Sequence, residues 1–251
     1  MQRWSTTRIP VQPLGGVMTE WASAELGFDN TQLCAPFLES LPVTGASVSL
    51  FGGSMQETLI YATDAVSARL DELQFDLGEG PRWEALRTRL PVLLPNLQAS
   101  DHRLWPVFGK AVAGTGAAAM FVFPLSVGAI DIGVVELYKS SPWVLNSSDQ
   151  MTASVLAVQT SWTLLRQLLT LGAFDGEDQA SGSSPLSRRE IHQATGMVLA
   201  QATMTAVQAL LLLRAHAFAN GSTLAETAKD VVARELDFSP PEEAMNGHGL
   251  E

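Results

Sequence analysis

The sequence predicts an α+β protein: an antiparallel sheet flanked by helices, one long connecting helix, and a separate module of three short helices. Three observations carry this expectation. Short apolar-rich runs, some strictly alternating with polar residues, come in pairs with glycine at the turns through the first half of the chain, the pattern of hairpin strands. Ser147 to Leu171 then holds helical spacing without a break. Beyond it, Gly172 to Pro185 is polar and rich in Gly and Ser, and the segment that follows is divided by cap and stop signals.

Residues 1–30 mix Pro, Gly and Thr around the isolated Trp4 and Trp21 and read as an N-terminal arm. A short helix is expected after Asn30, with Leu33, Phe37, Leu38 and Leu41 on its apolar side. Gly45 to Phe51 alternates as a strand and runs into Gly52-Gly53, and Glu57 to Asp64 is its hairpin partner. Val66, Leu70 and Leu73 mark a helix from Ala65 to Phe75, which Asp76 to Pro81 breaks. Gly78 and Gly80 invite a phosphate-loop reading, but the dinucleotide fingerprint needs a preceding strand and a third glycine opening the helix, and both are lacking. A turn or two of helix over Glu84 to Arg89, a strand over Pro91 to Leu94 and a helix over Trp105 to Val112 follow. Ala118 to Leu125 and Ile130 to Tyr138 are the clearest strands, apolar enough for central positions in a sheet covered on at least one face.

The helix from Ser147 to Leu171 carries two apolar stripes. Val155, Val158, Trp162, Leu165 and Leu169 form one, and Leu156, Leu164, Leu168 and Leu171 the other. A single sheet covers one stripe only. The second is left either for the same helix of another chain or for the C-terminal module packed over it.

Past the linker, Ser187 with Glu190 reads as a capping box ahead of the stripe Ile191, Ala194, Val198 and Ala202. Thr205 with Gln208 opens a second helix, whose buried face is expected at Ala206, Leu210, Leu213 and Ala217, and Asn220-Gly221 ends it. Thr223 with Glu226 opens a third, with Leu224, Ala228, Val231, Val232 and Leu236 as its stripe, before Pro240-Pro241 forbids continuation. The string from Ile191 through Thr195-Gly196 to Val198, followed by Ala209 to Ala217 with Arg214 inside it and by Leu224 to Val232, resembles the ANTAR domain. That family is an RNA-binding three-helix module of bacterial transcription antiterminators. Many members carry lysine where this chain has Thr195, so a phosphate contact that lysine would make is missing here or made elsewhere.

The region from about Thr31 to Leu169 resembles a GAF domain. Leu77-Gly-Glu-Gly80-Pro81 with Glu84 to Arg87, Asp101 with Trp105-Pro106-Val-Phe108, and Phe123-Pro124-Leu125 leading through Gly128 to Gly133 carry the likeness. In this order they look like the GAF domains that precede ANTAR modules in actinobacterial regulators. The resemblance implies a fold that senses a small molecule or another signal, and it does not name the signal.

The resulting organisation is an arm over 1–30, a GAF-like sensor over 31–171, a linker over 172–186, an ANTAR-like module over 187–238 and a flexible acidic tail over 239–251. The 251-residue chain has a net charge of −11. Residues 1–186 hold 10 basic and 18 acidic groups, whereas 187–238 hold 5 of each. The module is thus the least acidic part, yet it lacks the strong positive footprint usual for nucleic-acid binding. The single cysteine, Cys34, excludes an internal disulfide and reads as a small apolar residue. No apolar run approaches the ~18 residues of a membrane span, and the N-terminus lacks the apolar core of a secretory signal, so a cytoplasmic location is expected.

An enzyme needs a converging set of reactive groups, and this chain offers few. His192 and His216 lie on separate helices with no carboxylate at metal-binding spacing, and no Gly-x-Ser-x-Gly elbow places a nucleophile. Neither a catalytic site nor a metal or cofactor is expected. For nucleic acid, the face of the first module helix opposite Ile191 carries Arg189, Gln193, Gly196 and Ala200, and a mid-helix glycine costs ~1 kcal/mol against alanine, which a close approach would explain. That approach is either an RNA loop or another helix. Arg188, Arg189, His192, Gln193, Thr195, Gly196 and Arg214 are the candidate RNA-binding residues, with Lys229 and Arg234 as further cations. The resemblance implies paired small RNA stem-loops as the target and a homodimer as the binding form. Two other readings stay open: duplex DNA binding through a helix-turn-helix-like element, and a ligand- or protein-interaction regulator whose module has lost nucleic-acid binding.

Overall fold

The computed structural model describes residues 30–51, 57–100, 102–170, 186–202 and 204–239, with the backbone alone for 186–189. The expected arm up to residue 29, the linker over 172–185, Leu171 of the second stripe and the tail beyond Ser239 lie outside the described residues.

A 3-10 turn (Asn30–Leu33) and α1 (Ala35–Ser40) lead into the hairpin of β1 (Gly45–Phe51) and β2 (Glu57–Ala62). Next come α2 (Ala65–Leu77), α3 (Pro81–Thr88), β3 (Val92–Leu94) and α4 (Pro106–Ala111), then β4 (Ala119–Val127), β5 (Ile130–Lys139) and the long α5 (Ser147–Thr170). The chain closes on α6 (Leu186–Ala202), α7 (Ala206–Asn220) and α8 (Leu224–Val232).

The five strands form one sheet in the order β2-β1-β5-β4-β3, and every pair is antiparallel. β4 and β5 turn through Gly128-Ala129, where Gly128 takes φ 61° and frees Val127 to pair with Ile130. Strand alternation sends Phe121, Phe123, Leu125, Val135 and Leu137 to one side, where α1 and α5 cover them. Met120, Val122, Val134 and Tyr138 face the other side, under α2, α3 and α4. The result is a three-layer α+β domain with the GAF-like architecture the resemblance implies. β4 and β5 are covered on both faces, where the sequence required only one.

Local signals account for the helix ends. Asp64 caps α2 by accepting from Val66 N and Ser67 N, both at 2.8 Å, and Gly78 closes it in the left-handed conformation at φ 64°. The glycines of this loop therefore serve helix ends. Glu79 between them accepts from the backbone N–H groups of Val107 at 2.7 Å and Phe108 at 2.6 Å, fastening the start of α4. α3 begins at Pro81, three residues ahead of the expected turn, because proline at the first helical position needs no N–H partner.

On α5, Leu164 is buried and Leu156 and Leu168 pack against the sheet core, so this stripe faces inward. Val155, Val158, Trp162 and Leu169 of the other stripe are each at least half exposed, and Leu165 alone among them is buried. The C-terminal module does not cover this face.

In the module, Ile191, Ala194, Val198, Leu213, Ala217, Leu224, Ala228 and Val231 are buried as expected. The buried face of α7 is centred on Ala209, Leu213 and Ala217, so Ala206 is exposed and Leu210 half-buried. The run of four leucines from Leu210 to Leu213 permits several helical faces, and the short alanines win because α6 packs close. Both threonine capping boxes form: Thr205 Oγ1 accepts from Gln208 N at 3.3 Å, and Thr223 Oγ1 accepts from Glu226 N at 3.1 Å. α6 begins at Leu186, which places Ser187 inside the first turn rather than at the cap.

Candidate nucleic-acid interface

α6 packs its buried stripe against α7 and α8 and presents Gln193, Gly196 and Ala200 outward, as the spacing predicts. A Cβ added at Gly196 would meet nothing within 4 Å. The backbone is therefore open there, and no helix among the described residues packs on it. Thr195 is half-buried, and its hydroxyl donates to the Ile191 carbonyl at 2.7 Å within its own helix. His192 is half-buried beside it, while the side chains of Arg188 and Arg189 lie outside the described residues.

Arg214 lies elsewhere. Its Nη2 donates to the Phe75 carbonyl of α2 at 2.6 Å, and its Cζ sits 5.7 Å from the centre of the Phe75 ring. Burial holds the guanidinium below its ordinary pKa, partly offset by the nearby Asp76. The sequence could not reveal this contact, because it joins residues 139 apart.

A cation of only second rank in the sequence is better placed for the α6 face. Arg234 is exposed at φ 63° just past α8, and with Met197, Ala200, Gln201, Leu236 and Asp237 it lines a shallow cavity of about 320 Å³. Gln201 is tied there by accepting from Phe238 N at 3.3 Å. His216 packs edge-on against Phe238 with ring centres 5.4 Å apart. An exposed α6 flank, an open glycine and a cation at its end can together take a single-stranded loop, whose bases stack and whose phosphates need few charges.

Residues 184–232 match the ANTAR domain. The match spans α6 through α8, and it agrees with the resemblance carried by Ile191 to Val198, Ala209 to Ala217 and Leu224 to Val232. ANTAR domains are RNA-binding modules of antitermination regulators, so this chain sets a GAF-like α+β domain ahead of an ANTAR segment. Among solved structures, the chain is similar to the GAF domain/HD domain protein from Geobacter sulfurreducens, at 15% identity and TM-score 0.44, over 60% of this chain and 99% of that one. It is also similar to the GAF domain from Acinetobacter phosphoenolpyruvate-protein phosphotransferase, at 16% identity and TM-score 0.42, over 54% and 78% of the two chains. A third is GAF3 of Slr1393 from Synechocystis in its photoproduct state, at 14% identity and TM-score 0.46, over 61% and 100%. A comparison with curated proteins finds no match.

Ahead of the ANTAR segment, the space between the sheet and α2–α3 is filled by the domain's own side chains. Arg82, fully buried, donates from Nε to Glu136 at 2.9 Å and from Nη2 to Asp71 at 2.5 Å, and its Nη1 pairs with Glu57. Gln74 bridges the cluster: its Nε2 donates to Glu136 at 2.8 Å and its Oε1 accepts from Arg82 N at 2.9 Å. Ser49 donates to Asp71 as well. The sequence reading passed over Arg82. Its signal was Glu136, a carboxylate inside the apolar run from Ile132 to Tyr138 of a central strand, where burial calls for a partner.

Proposed function

We propose that the chain is a signal-responsive transcription regulator in which the GAF-like domain, over 31–171, controls RNA binding by the ANTAR segment, over 187–238. The reading rests on the ANTAR match across α6, whose outward face is open at Gly196. Arg188, Arg189, His192, Gln193, Thr195 and Gly196 would meet the RNA, joined by Arg234 at the end of the same face. Thr195 would act through the helix it braces, since its hydroxyl is engaged with Ile191. Arg214 would join them only when freed from Phe75.

The test is a titration of the full chain against an RNA with two adjacent small stem-loops, at several salt concentrations, with duplex DNA as competitor. Selective RNA binding that weakens as salt rises is expected. Gly196→Glu places a carboxylate on the open face and should weaken binding at least about tenfold, while leaving the unfolding temperature near that of the parent, because the site is unobstructed. Duplex preference, or binding untouched by Gly196→Glu, would overturn the interface.

The RNA-binding form is a homodimer joined through α5. Met151, Val155, Val158 and Trp162 follow one another on the exposed face in steps of four, three and four, with Leu169 seven residues on, the spacing of a coiled-coil seam. An apolar groove of about 310 Å³ runs beside it along Met151, Ser154, Val155, Val158 and Gln159. α5 carries only Asp149 and Arg166 as charges, so little repulsion opposes two copies despite the acidic chain. Two linked modules would hold two stem-loops through effective concentration, which suits a module with few cations. Sedimentation should give a dimer for the parent and a monomer for Trp162→Glu. The variant should lose affinity for the two-loop RNA by about 10²-fold and keep its affinity for a single loop. A parent chain that sediments as a monomer with and without RNA removes the seam from the proposal.

A further inference from the structure

The contact between Arg214 and α2 joins the two parts of the chain. Phe75 is 3% exposed, yet it belongs to the core of the ANTAR segment, packed with Ile191, Ala194, Val198 and Leu213 rather than with the sensor's own apolar clusters. It sits in the last turn of α2, at the negative end of the helix dipole. The Arg214 guanidinium caps that end through Phe75 O at 2.6 Å and lies over the Phe75 ring. Asp76 adds attraction from the next residue.

The fit extends to Gly78. A Cβ there would stand 2.9 Å from Arg214 Nη1, so glycine both closes α2 in the left-handed conformation and leaves room for the guanidinium. The hold is also incomplete. Arg214 Nε is buried and has no partner among the described residues. A guanidinium taken out of water with one nitrogen unpaired is costly, which weakens the hold.

We propose that the C-terminal end of α2 is a docking site for the ANTAR segment, which seats Phe75 in the three-helix core, withdraws Arg214 from RNA and so holds the chain in a low-affinity state. This rests on the RNA-binding reading above. Undocking would return a cation to the module and expose Phe75. A signal that shifts the last turn of α2 would thus be read out as a change in RNA affinity.

The experiment uses the full chain in three forms: the parent, Phe75→Ala and Gly78→Asn. Asparagine tolerates the left-handed conformation while crowding Arg214, so the second variant keeps the test alive if Phe75→Ala folds poorly. Spin labels on Arg69→Cys and Lys229→Cys, both exposed, report the separation of the two parts, with labelled chain diluted in excess unlabelled chain so that only distances within one chain are read. Cys34 stays unlabelled, being fully buried with its thiol pushed up to about 12. One narrow distance is expected in the parent and a broad distribution in both variants, with binding to the two-loop RNA about tenfold tighter in the variants. A parent distribution as broad as that of the variants overturns the docking. Separation without tighter binding overturns the control of RNA. If no form binds RNA, the RNA-binding reading falls, and the distances alone decide whether the parts dock.

Discussion

Replacing Arg82 by methionine should destabilise the sensor domain by on the order of 3–5 kcal/mol, enough to unfold a domain of ordinary stability. The guanidinium is fully buried and is the shared partner of Glu57, Asp71 and Glu136. Methionine matches its volume but leaves these carboxylates facing one another out of water. Denaturant unfolding followed by circular dichroism measures the loss. Arg82→Lys should recover only part of it, because one ammonium cannot spread its donors over carboxylates on three elements as a planar fork does. Arg82→Met combined with Glu136→Gln should be more stable than Arg82→Met alone, since one uncompensated charge has gone. A loss below about 1 kcal/mol, the scale of an exposed ion pair, would mean that the cluster does not hold the domain together.

Gly133→Ala should be the next most damaging single change. A Cβ at this position would lie 2.0 Å from the carbonyl oxygen of Ser49 and 3.1 Å from the Leu50 Cα. Both are backbone atoms of the neighbouring strand, so no side chain can swing aside, and β1 must move away from β5 where Leu50 faces Gly133. Crowding a packed core costs about 1–3 kcal/mol, and a clash with backbone belongs at the upper end or beyond. Gly196→Ala is the control. Nothing stands within 4 Å of its Cβ, and it should gain about 1 kcal/mol from helix propensity. Thermal unfolding of the pair should move in opposite directions, and equal effects would refute the strand register.

Much of the fold was legible because its signals are local. Thr205 and Thr223 are caps with their partners three residues on, and Gly128 and Gly221 sit where the backbone turns left-handed. Strand periodicity placed β4 and β5, and the two stripes of α5 sorted into an inner and an outer face. What escaped was pairing across the chain. Gly133 could be quoted as part of a resemblance, but its reason is the Ser49 carbonyl on a strand more than eighty residues away. Arg82 gave no local sign of burial. Arg214, set between Leu213 and Ala215, read as a cation free for RNA, and only the fold brings α2 beneath it. At the interface, Gln193 and Gly196 were legible from helical phase alone, whereas Arg234 reached the same flank through a left-handed turn that no helix pattern encodes.

The pairing of β1 with β5 bears on how the domain comes into being. β1 and β2 can meet as a hairpin as soon as they are made, but the inner edge of β1 stays bare until β5 arrives, because Gly45 waits for Tyr138. Glu136 reaches Arg82 on that same late strand. A chain still emerging from the ribosome would therefore carry an unpaired strand edge and an incompletely matched guanidinium, and closing both is a single event of long sequence separation. Such closure is slow. The domain should fold only after residue 139 is free, with the hairpin as a waiting intermediate that is open to association with other chains.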